Sequence, residues 1–266
     1  PFAEAAVSAE KVLPVSPALC ATGCRTALEF AVKWVYSVDG SLNEPYDDRL
    51  VTLLSTEDFR DLLPYGMMTK LSYLRRVGNI AAHNAKGVSR DQAELALKNL
   101  HSFLDFVAYC YGADYTETGF DTKVLSAEPE AVPAAAAPPS PDEVNLQTLV
   151  EENAPKREKL TAQREQQMKQ GYTVKPMDMT EAQTRKAYID VMLQDAGWQR
   201  GRNWVDEYPI GEMPNKSGFG FADYVLLGDD GKPLAVIEAK RTSVNVEKGR
   251  QQAVLYADFL EKDAGQ

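Results

Sequence analysis

The chain has 266 residues, a formal net charge of −10, and 44% hydrophobic and 26% charged residues. This length and ordinary globular composition predict two modules, with no apolar run long enough to span a membrane. No basic stretch leading into a hydrophobic one opens the chain, so a cytoplasmic protein is expected. The acidity argues against a free-standing binder with a basic surface. Any grip on a polyanion has to come from a local patch, a metal ion or a partner.

Residues 1–124 read as a helical bundle. Apolar residues recur at helical spacing from Cys24 to Tyr36, and again through Ala93, Leu97, Leu100, Leu104 and Val107. Asp39-Gly40 and Pro64-Tyr65-Gly66 mark breaks between helices. The three cysteines, Cys20, Cys24 and Cys110, form no metal-like spacing and read as small core residues in a reducing compartment. With only His83 and His101 present, a histidine-based zinc site is not expected.

Residues 125–177 change character. Glu128-Pro129-Glu130 leads into an alanine tract and then Pro138-Pro139-Ser140-Pro141, an extended interdomain linker. The segment 142–170 is rich in Glu, Lys, Arg and Gln and predicts a solvated helix leading into the second module.

Residues 178–266 predict a mixed α/β module. Thr180 and Gln183 fit a capping box, Gly197 a helix end, and Ala182, Ile189, Met192, Leu193 and Ala196 one apolar face between them. Strand patterns follow at Trp204–Ile210, Phe219–Leu227 and Pro233–Lys240, with Gly228-Asp229-Asp230-Gly231 as a hairpin turn between the last two. A helix is expected from about Val246 to Glu261.

Fourteen residues separate Asp223 from Glu238, and a four-residue turn lies between their strands, so an antiparallel hairpin can bring them together. Glu238 and Lys240 are two apart and share a strand face. Phosphodiester hydrolysis needs a nucleophilic water and stabilisation of charge on the phosphate. Two carboxylates and the carbonyl of Ala239 can hold a hard cation such as Mg²⁺, while Lys240 orients water and offsets charge. The plainer reading is a surface strand with a lysine–acid salt bridge. Gln252 and Tyr256 share a helical face, which also suits an ordinary amphipathic helix with Tyr256 against the sheet. Glu181 is a possible third carboxylate, although a first-turn acid also complements the helix dipole, the reading favoured here.

Gly220-Phe221-Ala222-Asp223-Tyr224-Val225-Leu226, then Ile237-Glu238-Ala239-Lys240, then Gln252 to Tyr256 together resemble the PD-(D/E)xK nuclease domain of the motor (R) subunit of type I restriction enzymes. The helix ending in Gly197-Trp198 is similar to that domain's entry helix, so the resemblance spans roughly residues 178–266. It implies a restriction-endonuclease-like fold, metal ligation by Asp223 and Glu238, a catalytic Lys240, and Gln252 and Tyr256 supporting DNA placement or cleavage. It further implies double-stranded DNA as substrate and methylation and specificity subunits as partners. In that family an ATP-driven motor follows the nuclease; no GxxxxGK[ST] motif occurs here, so an N-terminal fragment without its ATP site is expected. Leu74 to Asn84 is similar to a helical HEPN-like module found before the nuclease in some such subunits. In HEPN ribonucleases a spaced Arg and His cut RNA. Arg76 and His83 fit that spacing, but the apolar Val77 departs from the pattern, and a helix-packing role is favoured. The rival readings are thus a non-catalytic docking module and a metal-independent ribonuclease.

Overall fold

The computed structural model describes residues 2–83, 87–121, 123, 125, 144–174, 185–211, 220–239 and 246–264, with the side chains of 185, 186, 246–249, 252 and 262–264 excepted. It divides into two compact units, Pro1–Lys175 and Pro176–Gln266.

The first unit is built around one long helix. Helices α1 (Phe2–Val12) and α2 (Pro17–Val38) are followed by the short α3 (Leu50–Leu53) and α4 (Glu57–Leu62), then α5 (Met67–His83), α6 (Arg90–Tyr111) and α7 (Leu146–Gln170). The Ser16 hydroxyl accepts from the Leu19 N–H and Pro17 fills the first turn, a start signal in sequence and structure alike. Burial runs round most of α2, including Cys20, Cys24, Leu28, Val32, Val35 and Tyr36. A helix buried round most of its circumference must be enclosed, and α1, α5, α6 and α7 all pack on it. All three cysteines are buried and free. Gly78 lets α5 approach α2 closely: a Cβ there would lie 2.4 Å from Cβ of Arg25. Helix α6 opens on a complete capping box between Ser89 and Gln92.

Helix α7 departs from the sequence-based expectation of a solvated helix leading into the second module. It belongs to the first unit and packs on α2 and α6, held by hydrogen bonds more than by apolar burial. Arg164 grips the fully buried Asp39 with both arms, at 2.9 and 3.0 Å, while the Tyr111 hydroxyl donates to the same carboxylate at 2.8 Å. Arg157 donates to the carbonyls of Asp39 and Leu42, and the Gly40 N–H donates to Thr161 Oγ1. Composition alone reads such a helix as solvated because its contacts are polar.

In the second unit a five-residue π-helical turn, Arg185–Ile189, runs into α8 (Asp190–Asp195). Gly197, at φ 89°, then closes the helix: its N–H donates to Gln194 O and the Trp198 N–H to Leu193 O. The expected cap at Thr180 and Gln183 lies outside the described residues. Strands β1 (Trp204–Ile210), β2 (Gly220–Leu227) and β3 (Pro233–Ile237) form an antiparallel sheet in the order β1-β2-β3. The β2–β3 turn is closed by Gly228 N–H to Lys232 O and Gly231 N–H to Gly228 O, with Gly231 at φ 77°. Helix α9 (Val246–Ala264) packs on β3 and β1. One core cluster joins Ile210, Ala222, Val225, Tyr256 and Leu260; a second joins Leu193, Trp204, Tyr224 and Leu226. The molecule is therefore α+β, with a helical N-terminal unit and a small antiparallel sheet in the second. No described helix is long and apolar enough to cross a membrane.

Burial alone would raise the Asp39 carboxyl, but the donors outweigh it, Arg164 first and then Ser41 and Tyr111, and hold it lowered at about 2. A carboxyl held below its unfolded value of ~3.9 stabilises the fold above that pH and loses this contribution as pH falls towards about 2. Arg164→Met should cost the first unit about 3 kcal/mol, since it leaves a buried charge without its main partner. Urea denaturation at neutral pH measures this, and the difference from wild type should shrink between pH 4 and pH 2.

Candidate metal and catalytic site

The site grows from the open end of the β2–β3 hairpin. The last described pair of that ladder is Tyr224 with Ile237, so the next positions outward, Asp223 and Glu238, face each other. The Asp223 N–H donates to Glu238 Oε1 at 3.3 Å, and the Ala239 N–H donates to Asp223 Oδ2 at 2.8 Å. Each carboxylate thus reaches across to the main chain of the opposite strand, where a continuing ladder would have used carbonyls. Both acids are half-buried, and Ala239 is 1% exposed.

Chemically this is a pair of hard oxygen donors with orientations set by backbone N–H groups, a donor type suited to Mg²⁺. Two carboxylates on facing residues repel each other, and a cation held between them would offset this. Among the described residues no group of three or more acidic, histidine or cysteine side chains is arranged to hold a metal ion. Asp223, Glu238 and Ala239 are the described part of the expected site, because Glu181 and Lys240 lie outside the described residues.

Gln252 lies on α9, but its side chain is outside the described set. Tyr256 is 7% exposed in the cluster with Val225 and Leu260, so much of its ring is core. Two supports escaped sequence reasoning. The Tyr224 hydroxyl donates to Asp190 Oδ1 at 2.6 Å, fastening α8 to the strand that carries Asp223. Glu207 on β1 has a φ of 53°, alone among the described non-glycine residues, and nothing in its sequence context signals this. In the first unit, Arg76 and His83 stand two turns apart on α5, Arg76 partly buried and His83 exposed. Gly78, between them in sequence, is where α5 closes on Arg25.

Residues 7–128 match a family model described as a domain of unknown function, DUF4145. The match lies within the first unit and takes in α2 to α6 whole. No curated protein matches the chain, and no solved structure matches it.

The burial of Tyr256 separates two roles. Tyr256→Ala should destabilise the second unit by about 3 kcal/mol, as large-to-small core changes do, whereas Tyr256→Phe should retain most of the stability. Thermal unfolding of both variants checks this.

Proposed function

We propose that the second unit is a divalent-metal-dependent DNA endonuclease module of the PD-(D/E)xK type, the nuclease part of a type I restriction enzyme motor subunit. The observation that supports it most is the crossed pair of hydrogen bonds that holds Asp223 and Glu238 together at the end of an antiparallel hairpin. The helix–strand–strand–strand–helix order of the unit also suits a restriction-endonuclease-like fold.

In this reading Asp223 and Glu238 hold Mg²⁺, and Lys240 orients the attacking water and offsets charge on the phosphate. The bound ion would activate that water and stabilise the charge developing on the phosphate oxygens. The N–H groups of Asp223 and Ala239 keep both carboxylates aimed before any cation arrives, which spares reorganisation during reaction. Double-stranded DNA is the substrate, an ATP-driven motor elsewhere in the parent protein delivers it, and methylation and specificity subunits choose the site.

The test is metal binding together with cutting. Asp223→Ala and Glu238→Ala should each weaken Mn²⁺ binding at least tenfold by titration calorimetry. In the motor-bearing parent they should abolish DNA cleavage and spare ATP hydrolysis, and Lys240→Ala should abolish cleavage with metal affinity largely kept. Unchanged metal binding and continued cutting in both acid variants would overturn the assignment.

Affinity for DNA should be low in the chain by itself. A charge of −10 opposes approach to a polyanion. Dissociation constants for labelled duplex at physiological salt should be about 10⁻⁴ M or weaker, the weak end of non-specific binding. Mg²⁺ should strengthen binding and NaCl weaken it. Binding well below the micromolar range would place the DNA affinity elsewhere than this reading does.

A further inference from the structure

Residues two apart in a regular strand share a face. Trp204, Tyr208 and Ile210 have the same parity along β1, yet they enter different cores. Trp204 packs with Leu193, Tyr224 and Leu226, whereas Tyr208 and Ile210 pack with Val225, Tyr256 and Leu260. Strand β2 repeats the pattern: Tyr224 and Leu226 belong to the first cluster, and Ala222, of the same parity, joins Val225 in the second. The change of face falls between Trp204 and Tyr208 on β1 and between Ala222 and Tyr224 on β2. The register pairs Asp206 with Tyr224 and Tyr208 with Ala222, so Glu207 and Asp223 face each other at this break. Glu207 is also the residue with φ 53°, a left-handed backbone that non-glycine side chains resist.

We infer that Glu207 is a positioning residue for Asp223, acting through its left-handed backbone. Local irregularities of this kind re-aim side chains where a strand must serve two environments. With regular alternation Asp223 would keep the parity of Val225 and enter the core beneath Tyr256 and Leu260, where a carboxylate has no place. The break sends Ala222 there instead, at 0% exposure, and leaves Asp223 half-buried and bonded to the Ala239 N–H. Its functional consequence rests on the reading of Asp223 and Glu238 as metal ligands.

The substitutions that test it change backbone preference at one position. Glu207→Gly keeps a positive φ without strain, and Glu207→Val resists it. Each is compared with wild type and Asp223→Ala by Mn²⁺ titration and by the amide resonances of Asp223 and Ala239. The glycine variant should keep wild-type Mn²⁺ affinity and both amide shifts, and melt at a higher temperature. The valine variant should bind Mn²⁺ at least tenfold more weakly and move both amide resonances. If it fails to fold, Glu207→Ala takes its place, with a smaller loss in the same direction. Wild-type amide shifts in the valine or alanine variant would overturn the inference, as would their loss in the glycine variant, which would assign the effect to the carboxylate of Glu207. If Asp223→Ala leaves Mn²⁺ binding intact, the metal reading fails separately, and the amide shifts still judge the role of Glu207.

Discussion

Two carboxylates at the end of a hairpin keep a fixed position only if donors meet them, and at Asp223 and Glu238 those donors are main-chain N–H groups of the facing strand. The rest of the second unit can be understood from that requirement. The glycine turn closes the β2–β3 hairpin, a one-residue register shift follows between Leu226 and Leu227, and the shifted register places the two acids opposite each other. Two apolar clusters then hold β2, one through Val225 and Tyr256, the other through Tyr224 and Leu193, with the bond from Tyr224 to Asp190 adding α8 to the frame. A hydrogen bond to an ionised group is among the stronger local interactions, worth about 1.5–3 kcal/mol. Its value here is geometric, since it points oxygens that would otherwise rotate.

The first unit solves a different problem by similar means. Its core is closed by apolar packing around α2, but its last helix is attached by charged and polar side chains converging on the loop after α2. Asp39 is central to this. It is fully buried and receives Arg164, Ser41 and Tyr111, so its charge is matched from several sides. A buried pair of this kind adds little compared with an apolar substitute, yet removing one member is costly, which makes the α7 attachment specific.

Much of this was legible in the sequence. The strand at Trp204–Ile210, the hairpin glycines and the stop at Gly197 follow from local chemistry and recur in the structure. The approach of Asp223 and Glu238 was legible in outline, because a short turn joins their two strands, but their exact opposition depends on a one-residue register shift between Leu226 and Leu227 that turn length alone does not give. Composition indicated a helix in 142–170 but not its docking on the first unit, because the contacts of α7 are polar and lie far away in sequence. Nor could periodicity reveal the change of face at Glu207: glutamate has no preference for a left-handed backbone, so tertiary packing alone selects it. The spacing of Gln252 and Tyr256 left two places open for Tyr256, beside the site or against the sheet, and its burial with Val225 and Leu260 matches the second.

An acidic chain with a pair of facing carboxylates has, in the proposed reading, one way to approach phosphate. Without a cation both the net charge of −10 and the pair itself repel a polyanion. In that reading a divalent ion held by Asp223 and Glu238 cancels the charge of the pair at the spot where the scissile phosphate must lie, while the net charge of the chain stays negative. Weak intrinsic affinity and metal dependence are then two results of one charge arrangement. Such a module is useful when something else brings the DNA to it, because tethering raises the local concentration of substrate without any added grip at the site. On the proposed reading restraint follows from the same electrostatics, because a nuclease that did not hold DNA by itself would cut only where its partners had placed the strand.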